Sequence, residues 1–295
     1  MKTNSPVVQR KQNGPSSVNP SLKARSELSK GDRQFVTSLA RGLEILSCFS
    51  SAKMDVGGTE LATKTGLPQP TVWRLCHTMM QAGYLIPSSG DRMRPGIPLL
   101  RLGQAALASL PLAAKAHDRI KTLADMFGAG VGLAARDGAR MVIVQQHLSE
   151  AQLLINLKVG SRLRLATSGV GWGLLAGFNE VEREKLITEF AAPDPRWPEV
   201  EAAFGREMVA YKERGYILNI GAFVQGYNNI AVPIMGTDGR PVFALGCAGS
   251  AVVHTASFLR REVAPELLRV AASLEKDLQD EERVRAPRRK QAQRV

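Results

Sequence analysis

The sequence predicts a two-part α+β chain: a small helical module that ends in a hairpin, then a larger domain with helices flanking an antiparallel sheet. Three observations carry that expectation. Between residues 38 and 110 apolar side chains fall at helical spacing. From residue 131 onward, short runs rich in Val, Ile and Leu alternate with helical patterns, and Asp-Gly pairs at 137–138 and 238–239 join neighbouring runs as hairpins. At 295 residues the chain has enough length for two domains, each with its own core.

The first helix is predicted from Leu39, Leu43, Leu46 and Phe49, with Ser38 as its N-cap. Gly57-Gly58 breaks the pattern, and Thr59 is expected to cap a short helix that Gly66 ends. Leu67-Pro68-Gln69-Pro70-Thr71 opens a third helix, because proline in the first turn gives up no hydrogen bond. Its apolar face is Val72, Leu75, Cys76 and Met79, which leaves Trp73, Arg74 and His77 facing elsewhere. Gly83 closes it, and Tyr84-Leu85-Ile86 with Arg92-Met93-Arg94 reads as a hairpin. Two short helices joined at a glycine, the second followed by a hairpin, make a winged helix-turn-helix over 35–97. A helix delivered into the major groove needs polar groups and a cation on its exposed N-terminal face, which Gln69, Thr71 and Arg74 supply. Lys64, Trp73 and His77 belong to the same candidate set, and Arg92 and Arg94 on the hairpin are placed for backbone or minor-groove contact. The plainer alternative is a three-helix packing module with an ordinary charged surface.

Residues 98–110 read as a linker helix and 111–127 as another helix. Strands are predicted at Val131–Ala135, Met141–Gln145, Leu153–Leu157, Tyr216–Ile220, Asn229–Met235 and Val242–Ala248, with a type I′ turn at Asp137-Gly138. Helices are predicted at Gly169–Phe178, capped by Thr167-Ser168, then at Val181–Phe190, Val200–Arg214 and about Ala256 to Leu278. This second domain spans 111–280.

Net charge is +12, and its distribution is uneven. Residues 1–34 carry seven Lys/Arg against two Asp/Glu, 35–103 seven against four, and 281–295 six against two, while 104–280 carries nineteen of each. A polyanionic partner should therefore meet the first third and the two ends, both of which read as disordered basic tails. No apolar run approaches the roughly 18 residues of a membrane span, and the N-terminus lacks a secretory h-region. Cys48, Cys76 and Cys247 lie far apart, so neither a disulfide framework nor a cysteine zinc site is suggested. The cytoplasm is the expected compartment, with no membrane partner.

With these elements placed, the chain resembles the IclR family of bacterial transcriptional regulators from about Ser38 to Leu278. In the first half the resemblance rests on SLARGLEIL (38–46), ELATKTGLPQPTVWRL (60–75), QAGYL (81–85) and RMRPGIPLLRLG (92–103). In the second it rests on VGSRLRLATSGVGWGLLA (159–176), RGYILNIGAFVQGYNNIAVPI (214–234) and GRPVFALGCAGS (239–250). It implies a winged helix-turn-helix, a linker helix and a GAF-like effector-binding and oligomerisation domain. The implied partners are double-stranded DNA at a palindromic operator, a small organic effector, and further copies of the chain in a homodimer or tetramer. Three departures point to a less polar effector site. Trp172 stands where the family usually has a basic or small residue, Asn219-Ile220-Gly221-Ala222 where many members are acidic, and Gly246 and Ala248 where some carry serine.

The helix start at Thr167, Ser168, Gly169 and Val170 is the candidate anion site, since unpaired N–H groups and the helix dipole favour a carboxylate there. Asn219, Gly221, Ala231, Gly246 and Ala248 complete the candidate effector set. The GxGxG run at 169–173 lacks the spacing of a dinucleotide loop, and close helix packing explains it better. His77, His117, His147 and His254 show no metal-ligand spacing, and no catalytic triad can be nominated. No catalytic residue, metal or cofactor is expected. The function predicted is a DNA-binding regulator controlled by a small organic, carboxylate-type effector. An enzyme with an accessory helical domain is the alternative, and it gives no reason for a basic excess confined to one module and two tails.

Overall fold

The computed structural model describes residues 33–50, 53–150 and 157–292, with side chains described up to 281 and at Arg283. The expected N-terminal tail therefore falls almost wholly outside the described residues, as does most of the strand expected at Leu153–Leu157. Two compact units, Met1–Arg101 and Leu102–Val295, divide the chain.

The first unit contains α1 (Thr37–Leu46), β1 (Val56–Gly57), α2 (Gly58–Thr65), α3 (Gln69–Gln81), β2 (Leu85–Pro87) and β3 (Arg92–Pro95). The helix α4 (Ile97–Ala108) holds the point of division. Ile45, Leu61, Val72, Cys76, Leu85 and Met93 bury one small core, so the apolar face expected of α3 is the face that packs. The three strands pair antiparallel in the order β1-β3-β2, which adds a strand the sequence reading lacked. That strand explains a correction. Gly57 keeps extended geometry as the end of β1 and serves as the N-cap of α2, so Thr59 lies inside the helix and caps nothing. Ser38 is likewise inside α1, whose N-cap is Val36 with no side-chain cap.

The second unit contains α5 (Pro111–Lys115), α6 (His117–Phe127), β4 (Gly130–Asp137), β5 (Arg140–Leu148), β6 (Arg162–Arg164), α7 (Gly169–Gly177) and α8 (Glu180–Leu186). A π-helical turn (Ile187–Ala191), α9 (Trp197–Arg214), β7 (Ile217–Ile220), β8 (Tyr227–Met235) and β9 (Pro241–Ser250) follow. It closes with α10 (Ala256–Phe258), a second π-helical turn (Leu259–Val263) and α11 (Ala264–Ala292). The helix expected to stop near Leu278 thus runs on through Gln, Asp, Glu and Arg with no glycine to end it, and takes in Pro287 before Ala292.

Six antiparallel strands lie in the order β6-β5-β4-β9-β8-β7. β8 shows how the sheet separates two layers. Ile230, Val232 and Ile234 point into a core shared with Leu123 of α6 and Leu267 and Leu274 of α11. On the other face Trp172 and Leu175 of α7 pack with Trp197 and Phe204 of α9 and Ile217 of β7. The β4–β5 turn is Gly138-Ala139, where only Gly138 has positive φ (57°). A type I′ turn needs positive φ at both central residues, so that expectation is corrected.

Candidate functional site

The site begins with the helix α7. Its glycines at 169, 173 and 177 face β8 and β9, and Gly171 faces the chain just before the helix. A Cβ at Gly171 would sit 2.2 Å from the Leu165 carbonyl oxygen, and one at Gly173 would sit 2.8 Å from the Ala231 Cβ. At Gly169 it would lie 1.4 Å from the Asn229 Oδ1. Without side chains there, the helix lies almost against the sheet, as expected of close packing and not of a nucleotide loop. The other face of α7 carries Trp172, fully buried, with Nε1 donating to the Ala166 carbonyl at 2.6 Å and its ring edge-on to Phe204.

The Ser168 hydroxyl caps α7, accepting from the Gly171 amide at 3.1 Å and donating to the Arg164 carbonyl at 2.7 Å. It is spent on the cap, which corrects its expected role as a donor to ligand. The Gly169 and Val170 amides have no partner among the described residues, as the first turn of a helix dictates.

Beneath this helix start, register builds a trough. One row across the sheet reads Asn229, Ala248, Gly130, Leu148 and the next Ala231, Gly246, Gly132, Gln146, from β8 through β9 and β4 to β5. The two middle strands contribute only glycine and alanine, so the floor is nearly bare backbone. Side chains rise at its two edges, with Tyr227 and Asn229 on β8 and Gln146 and Leu148 on β5. In the resulting cavity the centres of water-sized molecules can range over about 70 Å³, with Ile143, Leu157, Leu163, Val170 and Phe223 as apolar walls. No charged side chain lines it among the described residues.

A β-bulge puts Gln146 there. Leu133 pairs with Gln145 and Ala134 with Ile143, so Val144 is the extra residue. Ile143 packs on the α7 side, Val144 packs into the opposite core, and Gln145 donates from the same side to the Ala113 carbonyl at 3.1 Å. Gln146 and Leu148 then return to the cavity face.

Tyr227 Oη, Asn229 Oδ1 and Gln146 Oε1 are buried with no hydrogen-bond partner. Buried polar atoms are nearly always paired, so three on the wall of one cavity mark a place built to receive a polar ligand. Burial also pushes the Tyr227 phenol above its ordinary range, keeping it a neutral donor.

Of the residues expected at this site, Ser168, Gly169, Val170, Gly246 and Ala248 line the cavity. Thr167, Asn219, Gly221 and Ala231 do not. Asn219 Nδ2 donates to the Thr167 carbonyl at 3.1 Å while its Oδ1 accepts from the Phe223 amide at 3.2 Å, so this pair braces the start of α7 from behind. Gly221 closes the turn between β7 and β8 by donating to the Tyr227 carbonyl at 3.1 Å. Ala231 is covered by Gly173. Gln146, Tyr227 and Asn229 escaped the sequence reading, although a strand reading YNN before IAVPI carries a polar signal.

In the first unit α3 presents Trp73, Arg74 and His77 outward, and Trp73 is 63% exposed. The Trp73 and His77 rings stack at 5.2 Å between centroids and 22° between planes. Arg74 and the exposed Arg94 have no side-chain partner among the described residues. Other candidates are engaged. Lys64 pairs with Glu60 at 3.0 Å, Gln69 Nε2 donates to Thr59 Oγ1 at 3.1 Å, and Arg92 donates to the Asp55 carbonyl. Thr71 is half-buried in the first turn of α3. The hairpin tip expected to carry Arg92 is therefore anchored through it, and Arg94 is the outward cation of that strand.

Comparison with known proteins decides what such a chain is. Residues 38–86 match the IclR helix-turn-helix domain, and residues 104–276 match the bacterial transcriptional regulator IclR C-terminal family. The chain belongs to the IclR family. It is a DNA-binding transcriptional regulator, and the helix α3 and the cavity lie within the two matched stretches. Relatives include the HTH-type transcriptional regulator TsaQ1/TsaQ2 of Comamonas testosteroni, 27% identical over 87% of this chain and 94% of that protein. Among solved structures, an IclR family transcriptional regulator from Brucella abortus is 34% identical over 90% of this chain and 100% of its own, with a TM-score of 0.76. An IclR homolog from Microbacterium hydrocarbonoxydans, solved with 4-hydroxybenzoate, shares the fold at 22% identity and a TM-score of 0.67, covering 83% of this chain and 100% of its own. No described helix is long and apolar enough to cross a membrane.

Proposed function

We propose that this IclR-family regulator is controlled by a small organic acid bound in the trough under α7. The observation that carries the reading is the convergence at one edge of the cavity. The unpartnered Gly169 and Val170 amides, the Tyr227 hydroxyl and the Asn229 carboxamide all lie there, with the helix dipole favouring an anion. Small floor residues leave room for a compact apolar body. The 4-hydroxybenzoate carried by the homolog from Microbacterium hydrocarbonoxydans supports an acid of this size in this fold.

Residues 35–97 bind double-stranded DNA through Arg74, Thr71, the Trp73–His77 stack and Arg94, while Lys64, Gln69 and Arg92 hold the module together. Residues 98–110 link it to the effector domain at 111–280, and the basic segments 1–34 and 281–295 add nonspecific phosphate contacts. One module presents one recognition helix, too little for selectivity against a genome, so a dimer or tetramer on a palindromic site in the cytoplasm completes the reading.

The test must place a like charge at the carboxylate site without distorting α7. Substitution at Gly169 fails that requirement, because its Cβ position is occupied by Asn229. Asn229→Asp keeps the shape and adds the charge. Calorimetric titration of wild type with benzoate and short-chain monocarboxylates should show binding that Asn229→Asp weakens about tenfold or more, with circular dichroism unchanged. Undiminished acid binding in the variant, or stabilisation of wild type by cations alone, refutes the reading.

A further inference from the structure

We infer that Gln146 selects the effector: the cavity takes a monocarboxylate bearing a neutral hydroxyl at its far end and turns away acids with a second carboxylate there. This rests on the acid-site reading above and names what that reading leaves open. The two polar edges of the trough are separated by β9 and β4, three strand spacings or about 14 Å between the β8 and β5 backbones. Tyr227, Asn229 and the α7 amides share the β8 edge, whereas Gln146 stands across the bare floor on β5. A ligand whose carboxylate meets the first group therefore turns its opposite end toward Gln146. Its Oε1 is buried and unpartnered, and its own amide N–H is already satisfied by the Gln145 side chain at 2.8 Å.

The chemistry of that end follows from what surrounds it. Leu148, Ile143 and Leu163 offer no polar group, and no cation lines the cavity among the described residues. A second carboxylate would leave water with no compensating charge, and an ammonium would lose its hydration for one amide oxygen. A hydroxyl is neutral, donates to the orphaned Oε1, and suits the carboxamide in either orientation. The bulge at Val144 is what makes this residue available, since regular alternation would have turned Gln145 into the cavity instead.

Calorimetry on the full chain with benzoate, 3- and 4-hydroxybenzoate, terephthalate and phenol tests this. In wild type one hydroxybenzoate should bind about tenfold tighter than benzoate, and terephthalate more weakly than benzoate. Gln146→Leu, with Gln146→Met as a second apolar variant should the first fail to fold, should bring the hydroxy acid to within about twofold of benzoate without weakening benzoate. Equal binding of benzoate and both hydroxy acids by wild type overturns the role of Gln146 and leaves the acid site standing. So does a hydroxyl preference that survives both variants, or terephthalate as the tightest ligand. Gln146-dependent binding of phenol with no acid bound keeps the role of Gln146 and overturns the acid site. Binding of none of the five overturns both.

Discussion

At the scale of single residues, charge alone does not mark a DNA contact; what decides is whether the charge is already engaged. Arg74 and Arg94 are outward cations without a side-chain partner among the described residues, whereas Arg92 is spent on the Asp55 carbonyl and Lys64 on Glu60. Arg74→Ala should weaken specific binding by about 1–3 kcal/mol if the guanidinium reads a base, or lower the salt slope by about one if it holds a phosphate. Arg92→Ala should instead lower the stability of the module by about 1–2 kcal/mol, because it leaves the part-buried carbonyl of Asp55, just before β1, without its partner. Gel-shift titrations at several salt concentrations, set beside thermal melts, separate the two. A change in Arg92→Ala that is confined to DNA affinity, or an Arg74→Ala that binds as wild type with the same salt slope, would reverse the assignment. Sequence had named both arginines because residue type and spacing are written in it. It had no means of seeing Asp55, which comes close only because β1 pairs with β3.

At the scale of elements, legibility followed local punctuation. The boundaries of α3 are fixed by Pro68-Gln69-Pro70 and Gly83, and the strands β8 and β9 by the turn at Asp238-Gly239, so these were readable. The cavity wall was not. Gln146 faces it only through the bulge at Val144, which reverses the parity that alternation assigns, Tyr227 lies before the strand start expected at Asn229, and Asn229 itself is an expected strand residue whose unpaired oxygen no local pattern announces. The glycines of α7 could be explained without coordinates, but not ranked. Gly171 meets the Leu165 carbonyl, backbone that cannot turn aside, whereas Gly205 in the exposed middle of α9 has nothing within 4 Å of its Cβ position. Gly171→Ala should therefore destabilise by about 1–3 kcal/mol or more through overpacking. Gly205→Ala should stabilise by about 0.5–1 kcal/mol through the lost backbone entropy of glycine. Denaturant unfolding of both variants checks the pair. Equal effects of one sign would show that glycine composition, and not the approach of α7 to its surroundings, governs this part of the fold.

At the scale of the whole molecule, the question is how a nearly neutral domain governs a basic one. Residues 104–280 carry no net charge, so the ligand-binding unit adds little to nonspecific attraction and its influence on DNA must be conformational. Occupying the trough can shift operator affinity only by as much as the acid prefers one arrangement of the assembled protein to another, and tenfold requires about 1.4 kcal/mol. That preference has a natural source in the structure. An empty cavity leaves the Tyr227, Asn229 and Gln146 oxygens unpaired, and an acid bound as proposed accepts from the Tyr227 hydroxyl and donates its own hydroxyl to Gln146, bridging the start of α7 to β5. Whichever arrangement holds these two elements at the ligand's span is the one stabilised. Linkage then makes a prediction that needs no knowledge of whether the outcome is repression or activation. If the acid changes operator affinity by a given factor, saturating operator DNA must change the affinity for the acid by the same factor, expected at about 5–150-fold. Calorimetric titration of the acid into free protein and into the protein–operator complex at one salt concentration measures it. Identical acid affinities in the two titrations would mean that the trough binds a ligand without regulating DNA, and control of this protein would have to be sought elsewhere in the chain.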